Sequence, residues 1–298
     1  MRKTLLAAAV AGVFSLPAVA FAADAAPTPT HTFAPNIGVV SDYLFRGISQ
    51  TRHSAAIQGG VDYSHASGLY AGVWASNITW VKDYLGKGST EIDLYGGYKN
   101  TFAGGDWNYD VGLITYNYVG KGSATRGNAA VFSQLANPNT TEVYGAIGYK
   151  WLTAKYSHTV SKDFIGWVPT NSVGYDLAKN SRGSNYLELN AAYDLGNGWG
   201  ISGHVGHQKV KNVQTIAGLI NDADYTDWNF GVTKDLGFGV VGLTYSDTDA
   251  KGSCGNPFPA ANASAYCWGT NMNSTTGGQN GFKDVAKGTA VLSFKKTF

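Results

Sequence analysis

Glu91-Ile92-Asp93-Leu94-Tyr95-Gly96-Gly97-Tyr98-Lys99 alternates with a period of two. Ile92, Leu94 and Tyr98 fall on one face, and Glu91, Asp93 and Lys99 on the other. Successive side chains of a strand point to opposite sides, so one face of this segment suits lipid and the other water. Its length is that of a β-strand crossing a bilayer at a tilt.

The pattern recurs on both sides of that segment. From 142 to 151, Val143, Ile147, Tyr149 and Trp151 oppose Glu142, Tyr144 and Lys150. From 186 to 195, Leu187, Leu189, Ala191, Tyr193 and Leu195 oppose Glu188, Asn190 and Asp194. Read in this way, the chain holds twelve strands, at 36–45, 55–63, 69–77, 90–99, 107–118, 141–151, 152–160, 185–195, 199–207, 225–234, 238–247 and 288–298. Five connections are short (65–68, 100–106, 151–152, 196–198 and 235–237), and the others are longer and polar, including 119–140, 161–184, 208–224 and 248–287. Short turns at one end and long loops at the other predict an all-β, antiparallel, up-and-down transmembrane barrel with periplasmic turns and extracellular loops. A soluble sandwich would carry polar outward faces, whereas apolar and aromatic faces recur here on nearly every strand.

Composition agrees with a barrel. The 298 residues include 39 Gly, 18 Tyr, 13 Phe and 8 Trp, with only 14% charged. Turns and interfacial girdles use glycine and aromatics. Trp107, Trp151, Tyr193, Trp199 and Phe238 fall at one predicted level, that of a periplasmic girdle. Residues 90–99 and 141–150 match at identical offsets as a weak internal repeat, both read as downward strands.

The N-terminus reads as a secretory signal over 1–22, with Arg2 and Lys3 ahead of an apolar stretch and Ala20-Phe21-Ala22 as the cleavage site. Residues 23–35 are expected to form an N-terminal periplasmic segment and 36–298 the barrel. Loss of Arg2 and Lys3 takes Lys+Arg from 22 to 20 against 20 Asp+Glu, so no basic surface for nucleic acid is implied. Cys254 and Cys267, in one polar segment behind an export signal, fit a disulfide that closes a loop, with reduced thiols as the alternative. The last strand alternates to Phe298 and resembles the signal that the barrel-assembly machinery reads, with Lys296 where that signal usually has an apolar residue.

Three segments carry a family resemblance: Ser41-Asp42-Tyr43-Leu44-Phe45-Arg46-Gly47-Ile48-Ser49-Gln50, Gly68-Leu69-Tyr70-Ala71-Gly72-Val73-Trp74-Ala75-Ser76-Asn77 and Glu91-Ile92-Asp93-Leu94-Tyr95-Gly96-Gly97-Tyr98. They resemble those of the TorF family of outer-membrane porins, most strongly over 36–99. The resemblance implies a porin-like barrel.

Inward positions supply the candidate site. Asp42 and Arg46 share the predicted inner face of the first strand, as a pair that lines a constriction or steadies the wall. Asp62, Glu91, Asp93, Asp110, Glu142, Glu188, Asp194 and Asp227 join them, against Lys99, Lys150 and Lys155. Such a lumen is net acidic, and mild cation selectivity is the expectation. Twelve strands lie between the filled eight-stranded barrel and the open sixteen-stranded one, so a narrow pore for small hydrophilic solutes is expected. Loop 248–287 is the candidate for covering its mouth. The expected surroundings are outer-membrane lipid and lipopolysaccharide.

Other motifs weigh little. Gly237-Phe238-Gly239-Val240-Val241-Gly242 fits a dinucleotide-binding string but opens a strand instead of a helix. The segment starting at Asp247-Thr248-Asp249 begins like a calcium loop, but Lys251 replaces a ligand and Phe258 stands where the closing Glu belongs. His204 and His207, three apart on a strand, face opposite sides, so no metal site is expected. An outer-membrane phospholipase is the enzymatic alternative, but adjacent Ser157 and His158 face opposite sides, no nucleophile elbow occurs, and no catalytic residue or cofactor is assigned. A non-conducting anchor with ligand-binding loops is the third reading.

Overall fold

The structure is a computed structural model that describes residues 29–85, 88–120, 137–171, 174–176, 178–214, 223–251, 254, 264–270 and 280–298. The segment read as a signal, up to residue 22, lies outside the described residues. Twelve strands form the wall: β1 His31–Val40, β2 Ala56–His65, β3 Leu69–Asn77, β4 Thr90–Phe102, β5 Trp107–Val119, β6 Thr140–Tyr149, β7 Leu152–Thr159, β8 Asn185–Gly196, β9 Trp199–Lys209, β10 Tyr225–Asp235, β11 Val240–Thr248 and β12 Thr289–Thr297. Each pairs antiparallel with its neighbours in sequence, and β1 pairs with β12 from Asn36↔Thr297 to Val40↔Ser293. The sheet is therefore a closed up-and-down barrel with no free edge.

Alternation sets the two faces. Ile37, Ile57, Leu94, Leu113, Val143, Leu187, Phe230, Leu243 and Leu292 are exposed around the outside. An apolar belt of this kind is unfavourable in water and matched in hydrocarbon, which places the barrel in the bacterial outer membrane. No helix among the described residues is long and apolar enough to cross a membrane, so the strands do the crossing. At the short-turn end, Trp107, Trp151, Tyr193, Trp199 and Phe238 are all exposed, and Trp107 packs on Tyr149 with ring centroids 4.8 Å apart.

Two features depart from the sequence reading. The first strand runs over 31–40, not 36–45, so residues 31–35, expected in a periplasmic segment, are wall. Residues 41–55 then leave the wall and turn inward. Tyr43-Leu44-Phe45 reads as the end of an alternating strand, but all three side chains are buried, and a lipid-facing position would expose one of them. The repeat between 90–99 and 141–150 also breaks at its last residue. β4 continues to Phe102, whereas β6 stops at Tyr149, and Lys150 enters the tight β6–β7 turn with φ of +53°.

A cation placed on the outer belt tests the membrane assignment by depth. Leu243→Arg, near the middle of β11, is expected to cost about 2–4 kcal/mol, and Leu195→Arg, beside the turn, about 0–1 kcal/mol. Urea titration of folding into lipid vesicles measures both.

Candidate functional site

The inward turn of 41–55 is built on two residues. Leu44–Phe45 pairs with Ile48–Ser49, and the connecting Arg46 and Gly47 both have positive φ, +49° and +77°. That is the geometry of the two-residue hairpin turn whose twist matches its strands. A Cβ on Gly47 would lie 2.7 Å from Thr248 Cγ2 and 2.8 Å from Asp227 Cβ, so the hairpin tip is pressed against β10 and β11. The base of the loop is fixed by Asp42, whose carboxylate accepts hydrogen bonds from Ser49 Oγ at 2.5 Å and Thr51 Oγ1 at 3.0 Å and faces His53 Nδ1 at 2.7 Å.

From this tip Arg46 reaches across the lumen. Its guanidinium donates two hydrogen bonds to Glu142 on β6, at 2.7 and 3.2 Å, and one to Gln208 on β9 at 2.7 Å. The guanidinium carbon sits 4.3 Å from the Tyr186 ring centroid and 4.8 Å from that of Phe45. Side-chain exposure is 5% for Arg46 and 1% for Glu142, so this forked pair is shielded from water. Burial alone would lower the pKa of Arg46, but the Glu142 carboxylate beside it more than offsets that and holds it above the usual range.

A second polar group flanks the fork. Asp227 accepts from the Tyr186 hydroxyl at 2.7 Å and faces His204 Nε2 at 3.0 Å. His204 Nδ1 lies 2.7 Å from Asn190 Oδ1 and 3.6 Å from Glu188 Oε2. Toward the turns the lumen is lined by half-buried polar groups. Asp62 is reached by Asn36 Nδ2 at 3.3 Å and by the Tyr95 hydroxyl; Tyr70 donates to Asp110 at 2.6 Å and touches the Tyr144 hydroxyl. Lys99 and Lys155 rest over the rings of Tyr70 and Tyr144, at 5.3 and 4.0 Å.

The expected inward residues Asp62, Glu91, Asp93, Asp110, Glu142, Glu188 and Asp227 all lie on inner faces of wall strands, while two expectations need correction. Asp42 and Arg46 do enter the lumen, but from the inserted loop, and they pair with His53 and Glu142 instead of with each other. Lys150 is not in the lumen: its side chain is 48% exposed in the periplasmic turn, 3.8 Å from Asp106.

A family model described as a bacterial protein of unknown function, Gcw_chp, matches residues 24–298. The chain belongs to the Gcw_chp family. A search of curated proteins finds no match. Among solved structures, this Gcw_chp barrel is similar to the KdgM porin, at 6% identity over 90% of this chain and 99% of the other, with a TM-score of 0.46. The NanC porin matches at 10% identity over 90% and 99%, with a TM-score of 0.45. OprD of Pseudomonas aeruginosa matches at 12% over 92% and 68%, with a TM-score of 0.39.

Described residues of the segment expected to close the mouth touch loop 41–55 of this Gcw_chp barrel, Asp284 O at His53 Nε2 and Val285 O at Ser49 N–H. Cys267–Thr270 pairs with Asn280–Asp284, and Cys254 is joined to Cys267 by a disulfide. Ser49 N–H donates to Val285 O at 2.8 Å, and the Tyr266 hydroxyl donates to Ala223 O at 2.6 Å. Residues that strand alternation does not reveal thus complete the site: Gln208, Tyr186 and His204 are inward by parity, but their roles appear only once Arg46 arrives from another element.

Removing the guanidinium strands a buried carboxylate. Arg46→Met is expected to loosen the seated loop by about 3–5 kcal/mol, and Arg46→Met with Glu142→Leu to recover most of it. Hydrogen exchange at the Gln50 N–H, which bonds Tyr43 O, reads both. His53 gives a pH signature, because its Nδ1 faces Asp42 and its Nε2 faces Asp284 O at 2.8 Å, so only the imidazolium donates to both. The hydrogen bond to Asp42 chiefly raises its pKa above 6.5, against burial and, more weakly, Lys287, and with help from Asp284 O. The added stability is complete below the ordinary imidazole value and is lost as the pH rises through the raised one. The melting-temperature gap between wild type and His53→Gln is therefore expected to be wide at acid pH and to shrink on the alkaline side.

Proposed function

We propose that the chain is a narrow porin-like channel for passive diffusion of small hydrophilic solutes, with loop 41–55 setting its constriction. The observation that carries this reading is a lumen lined by charged and hydroxyl groups, with the Arg46–Glu142 fork across its outer half. Plugged barrels share a polar interior, so the support for a channel is that at the turn end the lining is half-buried and accessible to water. The resemblance of 36–99 to the TorF porins supports the same reading.

Inward carboxylates outnumber inward cations, and this supports mild cation selectivity. Outer-membrane lipid and lipopolysaccharide would surround the belt, residues 1–22 would direct export, and the strand ending at Phe298 would be presented to the barrel-assembly machinery. The complete burial of Tyr43, Leu44 and Ile48 favours a second reading, a closed barrel whose extracellular loops bind a ligand. For the enzymatic reading, Ser157 is buried on the inner face of β7 and His158 bonds outward with Tyr156, so the two do not form a nucleophile–base pair.

Planar-bilayer recording of the refolded protein separates these readings. Wild type is expected to show small, infrequent steps, and Arg46→Ala with Glu142→Ala larger or longer ones. Silence in both, with no lipid hydrolysis, would establish the closed barrel, and silence with hydrolysis the enzyme. A reversal potential of anionic sign in a salt gradient would refute the cation preference.

A further inference from the structure

Strand parity turns His158 on β7, Asn185 on β8, and His207 and Lys209 on β9 to the outside of the barrel at its long-loop end. Gln208, between the last two, is 1% exposed and bonds Arg46 inside, which fixes the outward direction of both neighbours. The register sets Asn185 opposite His158 on one side and Lys209 on the other, so the imidazole and the ammonium flank it within two strand spacings, about 10 Å. Arg182 joins them from the loop. Gly183 N–H donates to Thr159 O at 3.0 Å, a Cβ on Gly183 would lie 3.8 Å from His158 Cε1, and Arg182 Nε donates to Ser161 O at 3.4 Å. Arg182, His207 and Lys209 are all exposed.

Among the described residues, no ion pair joins Arg182 or Lys209 to a carboxylate. Asp224 and Asp249, flanking β10, instead accept hydrogen bonds from the N–H groups of Val210 and Thr226, at 2.7 and 2.5 Å, and Asp176 pairs with Lys179. The charge belongs to this sector alone. At the same end of the other strands the outward residues are neutral, as Val39, Ile57, Asn117, Thr141 and Ala290 are, or acidic, as Asp247 is. Below the cations, the same three strands expose Tyr156, Leu187, Leu189 and Val205. Cations at headgroup level above an apolar sheet are complementary to an amphiphile with an anionic head.

We propose that the outward face of β7–β9 binds the phosphorylated sugar headgroup of lipopolysaccharide. Arg182 offers a planar fork that matches phosphate oxygens, and Lys209 a point charge on a flexible stem. Asn185, between them, supplies a neutral amide for a sugar hydroxyl, and Tyr156, Leu187 and Val205 lie under the acyl chains. The inference rests on the reading that lipopolysaccharide surrounds the belt, and it is independent of whether the barrel conducts.

The test titrates refolded full-length protein in non-ionic detergent with bisphosphorylated lipid A and reads bound lipid by native mass spectrometry. Saturable binding is expected, weakened about thirtyfold in Arg182→Gln with Lys209→Gln, at about fivefold for each cation. The charge-matched control Lys82→Gln with Lys287→Gln, both exposed and outside the sector, is expected to bind as wild type does. An equal loss in the control would overturn the site, as would equal binding of lipid A stripped of its phosphates, which the apolar belt alone would then explain. Equal binding of phosphatidylglycerol would overturn it too, by assigning the patch to any anionic lipid. If the double variant does not refold, Lys209→Gln alone decides, with about a fivefold loss expected. Protein that conducts in planar bilayers but retains no lipid A would overturn the patch and leave the channel standing.

Discussion

In hydrocarbon a backbone N–H or C=O has no water to turn to, and the whole architecture follows from that constraint. A twelve-stranded sheet satisfies it only when its two edges meet, which β1 and β12 achieve through five paired positions. Closure fixes which side chains face lipid and which face the lumen. It also leaves an interior too wide for wall side chains to fill with apolar packing, so the inner face is free to carry charge.

The chain meets this opening with a short hairpin instead of a long domain. Arg46 reaches partners on two separate wall strands, β6 and β9, and its planar group lies against the rings of Tyr186 and Phe45. A fork of fixed geometry suits this task, since it satisfies several acceptors from one side chain. The contacts of the guanidinium itself are polar and join the hairpin to both strands.

Most of the wall was legible in the sequence because lipid and lumen impose opposite demands on neighbouring residues. β3, β5 and β9 begin where alternation places their first residues, at Leu69, Trp107 and Trp199. Alternation fails where an apolar run serves a different purpose. Tyr43-Leu44-Phe45 satisfies a strand pattern equally well whether it faces lipid or packs inside the mouth, and only the positive φ at Arg46 and Gly47 separates the two. Lys150 misleads for a similar reason, since parity continues on paper past the residue where the strand turns. The pairing of Arg46 with Glu142, 96 positions later, has no local signal at all.

The position of the plug in the chain has a consequence for assembly. The hairpin is encoded between the first two wall strands, yet its anchoring groups lie on the sixth, ninth, tenth and eleventh. It cannot seat as it emerges, and must wait until most of the cylinder stands around it. The loop that narrows the barrel is thus among the first segments made and among the last to be ordered.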